Sequence, residues 1–175
     1  MSHKQNLAPR ESVIAAIVRR RRANVGRRGS WWSPRGLPLA DWRLLVAVAL
    51  AQLAAAAAVR AVPLPTVRAA ARRIRRPARF AADGSDERIL WAIAATGRRL
   101  GGLSSCLIRA LVAELLLDTS PGPTYLTIGV RRVAGTIQAH AWLTRADRIL
   151  IGATADEYVP FVRWESPSAR GPGEK

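Results

Sequence analysis

The sequence predicts an α+β fold, with helices first and then a small antiparallel sheet packed on a central helix. Three observations carry this. Two apolar stripes at helical spacing occupy residues 85–117, each opened by a serine and closed by breakers. Strict apolar–polar alternation runs from Thr136 to Leu143. The charge is also split unevenly: residues 1–80 hold 17 Lys or Arg against Glu11 and Asp41, whereas residues 81–175 hold 11 against 10 acids. That asymmetry predicts a basic helical region over 1–80, a core domain over 81–165 and a flexible tail over 166–175.

In the first region, the apolar run Val13 to Val18 is helix-like and ends in Arg19-Arg20-Arg21-Arg22. Trp31-Trp32 follows; such a pair can stack on bases or sit at a membrane interface, but no repeat supports either use. Leu44 to Val59 is apolar except for Gln52. At 16 residues it falls short of the ~20 that span a bilayer, so it predicts a packing helix over 41–60, ended by Pro63 and Pro65. Arg72, Arg73, Arg75, Arg76 and Arg79 read as a solvated basic face. An acidic partner suits this charge. No nucleic-acid motif accompanies it, so nucleic acid is not expected, while an anionic membrane surface stays open.

The second region has clearer signals. Ser85 caps a helix with Asp86 and Glu87 in its first turn and Arg98 and Arg99 in its last, both suited to the helix dipole. Gly101-Gly102 stop it. Ser104-Ser105 offer caps for the next helix, which starts near Cys106 and is apolar over most of its circumference, hence central and buried. Pro121-Gly122-Pro123 break it. Strands are predicted over 125–130, 136–143 and 148–151, with a loop over 131–135. In the second strand Ile137, Ala139, Ala141 and Leu143 face one way, and Gln138, His140, Trp142 and Thr144 the other.

Composition narrows the chemistry. The single cysteine excludes an internal disulfide and a cysteine-built zinc site. No metal constellation and no Gly-rich phosphate loop of the G-x-x-x-x-G-K type is present, so no cofactor is expected. What remains is Cys106 at a helix start, where free amides and the dipole favour thiolate over thiol, and His140 on a strand downstream. A thiolate nucleophile needs an imidazole to take and return its proton. The same spacing also fits a core cysteine and a structural histidine. Trp142 shares the face of His140 and is placed in the cleft. Arg109 is either a carboxylate-binding residue or a structural ion pair.

The words Cys106-Leu107-Ile108-Arg109-Ala110-Leu111, Ile128-Gly129-Val130, Ala139-His140-Ala141-Trp142 and Ile151-Gly152 sharpen the choice. Over roughly residues 85–162 the chain resembles the transglutaminase-like cysteine proteases of lasso peptide biosynthesis, the B2 proteins, whose patterns read C-L-x-R-A-L, I-G-V and A-H-A-W. The resemblance implies a papain/transglutaminase-like core, Cys106 as nucleophile and His140 as general base and acid. It implies a leader peptidase acting on a ribosomally made precursor peptide, with a separate ATP-dependent macrolactam cyclase acting next. No leader-recognition domain is evident, so a recognition partner in trans is expected. The family's third residue is usually an Asp about twelve positions after the His, and Gly152 stands there. Asp156 is the nearest acid downstream and takes the role in this reading, with a Cys–His dyad as the fallback. With no signal peptide at the start, the expected compartment is the cytoplasm. The alternatives are another thiol amidase or acyl transferase of the same architecture, and a non-enzymatic basic adaptor for nucleic acid or membrane.

Overall fold

The computed structural model describes residues 36–82, 84–118 and 122–166. The chain divides into residues 1–37 and 38–175, and the second unit holds every helix and strand named below. The Val13–Val18 run, Arg19 to Arg22, Trp31-Trp32 and the tail after Ser166 lie outside the described residues.

Helix α1, Leu39–Ala61, is longer than the apolar run that predicted it. It buries Leu44, Leu45, Val48, Gln52 and Ala56, and it packs on each of the three helices that follow. Its opposite face carries Leu39, Val46 and Leu50 exposed. Among the described residues it is the one helix long and apolar enough to cross a membrane. Pro63 and Pro65 do end α1, but they also start α2, Leu64–Ala81. Pro63 is its N-cap and Pro65 sits in the first turn, where a missing N–H is harmless.

The basic face of α2 is only partly solvated, which corrects the reading of its arginine cluster. Arg68 is buried and grips Glu114 with two nitrogens, while its guanidinium lies 5.1 Å over the Trp164 ring. Ser166 Oγ donates to the same carboxylate. Arg75 donates to the Leu117 carbonyl at 3.1 Å and Arg79 to the Leu116 carbonyl at 3.0 Å. Burial pulls Arg75 below its ordinary pKa, with Glu114 and Asp118 opposing that fall. It stays charged at any accessible pH. Arg72, Arg73 and Arg76 remain exposed.

Helix α3, Asp86–Leu100, has Ser85 accepting from the Arg88 amide as its cap, and buries Ile89, Ala92, Ile93 and Ala95. A 3-10 turn, Gly101–Leu103, leads to α4, Cys106–Leu116. Ser105 caps α4 by accepting from the Ile108 amide. Ile108, Ala110, Leu111, Val112, Ala113 and Leu116 are buried, so α4 is the central helix its composition predicts.

The sheet has four strands: β1 Thr124–Val133, β2 Thr136–Arg145, β3 Arg148–Ile151 and β4 Val159–Ser166. Their order is β3-β2-β1-β4, with all neighbours antiparallel. Two expectations are corrected here. The predicted 131–135 loop shrinks to Ala134-Gly135, both with positive φ (47° and 81°), as a two-residue hairpin turn requires. The meander is flanked by an unpredicted strand, β4, on the far side of β1.

Burial alternates as predicted only in the second half of β2; Ile137 and Ala139, expected on the inward face, are exposed near the hairpin end. Ala141 and Leu143 are buried, and register aligns them with Ile128 and Leu126 of β1 and, across it, with Val162 and Trp164 of β4. Ser166 on that face meets Glu114 of α4, which identifies it as the helix-packed side. The predicted α+β architecture stands, but compactness does not follow the charge break after Phe80: α1 and α2 pack on α4 within one unit.

Candidate active site

Cys106 is the first residue of α4 and is half-buried. Its loop is anchored from below. Ser104, almost wholly buried, donates to Gln52 Oε1 of α1. Gln52 Nε2 donates in turn to Thr96 Oγ1 at 2.5 Å and to the Ile93 carbonyl at 3.3 Å. Arg109 folds back, its Nε donating to the Ser104 carbonyl at 3.0 Å. The apolar stretch of α1 thus buries one polar side chain, Gln52, and that side chain ties α3 to the cap of the cysteine helix. Arg109 braces the cap loop rather than joining the groups around His140.

His140 lies on β2 opposite Gly129 of β1. Its Nε2 is 2.7 Å from the carbonyl oxygen of Gly152, just past β3. A carbonyl only accepts, so Nε2 carries the hydrogen and Nδ1 of the neutral ring is left as the base. Two rings flank the imidazole: Trp142, stacked at 6.2 Å, and Tyr158, tilted at 5.1 Å. Gly129 makes room for them, because a Cβ there would meet the Trp142 ring at 2.7 Å and Tyr158 Cβ at 2.9 Å. Trp142 therefore sits beside His140, as its position on the strand predicts.

Asp156 does not reach His140. Its carboxylate pairs with Arg131 at 2.8 Å, and the Arg131 guanidinium stacks 5.0 Å over Tyr158. Asp156 thus touches the site two steps removed, through an arginine and a tyrosine. The chain after Gly152 leaves the sheet at Ile151 and carries Asp156 out to an exposed bend.

Helix α4 rests chiefly on β2. At one end of this pair, Arg145 Nη2 donates to the Asp118 carbonyl, just past α4. The structure does not bring Cys106 and His140 into contact: α4 packs on the sheet face that carries Ala141, Leu143 and Ser166, and His140 lies on the other face. Among the described residues no hydrogen bond joins them, and alternation turns His140 to the sheet face opposite Ala141 and Leu143.

Elsewhere, an apolar groove of about 310 Å³ opens between α1 and α2 over Leu111, Val112 and Leu115. No titratable side chain lines it, so it holds no candidate chemistry. Among the described residues no cluster of three or more His, Cys, Asp or Glu is arranged to hold a metal.

Residues 49–163 match the family model of the transglutaminase-like superfamily, well over half of the chain. The chain belongs to the transglutaminase-like superfamily. Cysteine-based enzymes are the general rule in that superfamily, and the α+β core with a cysteine-headed helix on an antiparallel sheet is consistent with it. No curated protein and no solved structure matches the chain.

Three contributors to the site have no strong sequence signal. Tyr158 sits in an exposed stretch with no periodicity. Gln52 shows itself only as the polar exception in an apolar run. The Gly152 carbonyl is a backbone group, and its one trace is a glycine where an acid is expected.

Proposed function

We propose that the chain is a cysteine peptidase that removes the leader from a lasso peptide precursor, with Cys106 as nucleophile and His140 as general base and acid. The observation that carries this is the His140 ring, held with Nε2–H on Gly152 and Nδ1 bare, in a chain whose one cysteine heads the central helix. The sequence words shared with the lasso B2 proteins favour leader removal over other thiol chemistry.

The mechanism follows from these groups. His140 Nδ1 takes the Cys106 proton and the sulfur attacks the scissile carbonyl carbon, forming a C–S bond. The oxyanion is received by amides at the start of α4. There Ile108 is taken by Ser105 Oγ and Arg109 by the Ser105 carbonyl, while the Cys106 and Leu107 amides have no helical acceptor. His140 then gives its proton to the leaving amine, the new N-terminus of the core peptide, and water releases the leader from the thioester. A leader-recognition partner in trans presents the precursor, and a separate ATP-dependent cyclase closes the ring. A lone reduced thiol suits the cytoplasm as the compartment.

The test is precursor cleavage followed by mass spectrometry, with and without the recognition partner. Cys106→Ala and His140→Ala are expected to abolish it while the fold is kept. Cleavage surviving Cys106→Ala in pure protein overturns the mechanism. A thioester that forms on Cys106 but passes to an amine rather than to water marks an acyl transferase instead.

A further inference from the structure

The family pattern calls for a carboxylate at position 152, and none is there. We infer that the main-chain carbonyl of Gly152 is itself the positioning group for His140, and that the backbone around it is built to exclude a side chain. This rests on the peptidase reading for its catalytic meaning, but its geometry stands alone.

The carbonyl oxygen lies 2.7 Å from Nε2. Gly152 has φ +83°, a conformation L residues rarely adopt. A Cβ there would sit 2.6 Å from the Ala141 carbonyl oxygen and 2.9 Å from Trp142 Cα and Cβ. These are backbone or near-backbone atoms of β2, which do not swing aside. The same close approach brings the carbonyl to the ring nitrogen. The sheet prepares it: the β2–β3 register shifts between Leu143 and Thr144, and Ile151 is the last paired residue before the chain turns. Trp142 and Tyr158 flank the ring, and the carbonyl selects which nitrogen carries the hydrogen. Asp156, the nearest downstream acid, is engaged by Arg131.

A neutral acceptor differs from a carboxylate in one respect. It fixes tautomer and orientation but gives the imidazolium no counter-charge. It follows that restoring the family's acid, Gly152→Asp, harms this chain, because the carboxylate brings a Cβ that the backbone has no room for.

The test replaces the amide between Gly152 and Ala153 with an ester in the full-length protein. This keeps every side chain, weakens the Gly152 acceptor and removes the Ala153 N–H, which donates to no group among the described residues. The first readout is the ring N–H signal of His140 in ¹⁵N-labelled protein, readily assigned because His3 is the other histidine. The second is kcat and KM for precursor cleavage. In the native chain the ring N–H is slow to exchange. In the ester form its signal moves upfield and kcat falls about five-fold, the worth of one ordinary hydrogen bond, with KM unchanged. A ring signal indifferent to the ester overturns the inference, as does a Gly152→Asp variant with raised kcat. A ring signal that responds in a protein that never cleaves the precursor upholds the positioning and removes the peptidase reading.

Discussion

Gln52→Leu tests whether the cysteine loop is held from the buried side. The substitution is close to isosteric and removes three hydrogen bonds in a fully buried place. The Thr96 hydroxyl keeps its bond to the Ala92 carbonyl at 2.7 Å. Ser104 Oγ is left with no acceptor at 1% exposure. An orphaned buried donor costs about 1–3 kcal/mol. A net loss of about 2 kcal/mol is therefore expected, or roughly 4–8 °C in Tm for a chain of this size. Urea unfolding followed by tryptophan fluorescence measures it. Ser104→Ala in the Gln52→Leu background removes the orphan, so the double variant recovers about half of the loss. Cys106 lies two residues beyond Ser104, so its rate of alkylation by iodoacetamide also changes in Gln52→Leu. If Gln52→Leu is as stable as the native chain and alkylates at the same rate, the anchoring argument fails.

Three other outcomes are expected. Arg68→Met leaves Glu114 buried without its cation and costs about 3–5 kcal/mol in urea unfolding, while Arg68→Met with Glu114→Leu recovers most of it. Gly129→Ala pushes a methyl into the Trp142 ring and the Tyr158 Cβ; a loss of about 1–3 kcal/mol and a changed tryptophan emission are expected, with slower precursor cleavage as the rings flanking His140 shift. Replacing Arg72, Arg73 and Arg76 by Ser together leaves Tm within about 2 °C, since all three face solvent. In the native chain, binding to an acidic leader or partner weakens as salt rises, and in this variant that salt dependence is reduced, by titration at two ionic strengths.

What the sequence disclosed depended on whether the signal is local. Ser85 and Ser105 are caps because a serine before an apolar stripe has a neighbouring amide to satisfy, and both accept the amides expected of them. β2 is legible because in its second half Ala141 and Leu143 are buried and their neighbours are not. β4 escaped notice because it is an edge strand that opens Val159-Pro160-Phe161 with all three side chains exposed. Its inward residues, Val162, Trp164 and Ser166, alternate with Arg163 and Glu165, a signal that begins only after the proline. Cys106 and His140 could be singled out because each is the sole plausible residue of its type. The partner of His140 could not, since a scan for chemistry inspects side chains and the acceptor is a carbonyl. Asp156 was the nearest acid in sequence, but a bend and an ion pair separate it from the ring.

The charge of the first 80 residues has a second meaning in three dimensions. Read along the chain, five arginines within Arg72 to Arg79 form a solvated basic face. In the fold, Arg75 and Arg79 reach the Leu117 and Leu116 carbonyls at the end of α4, and Arg68 holds Glu114 one turn earlier. Cations at a helix C-terminus satisfy its last carbonyls and oppose its negative end. Here that helix is the one headed by Cys106. Its C-terminal end is capped by guanidinium groups and its N-terminal amides are left for the sulfur and for any oxyanion formed beside it. Part of the basic charge is therefore internal support for the cysteine helix. The part free to meet an acidic partner among the described residues of α2 is the outward face of Arg72, Arg73 and Arg76, which is where a docking experiment should look.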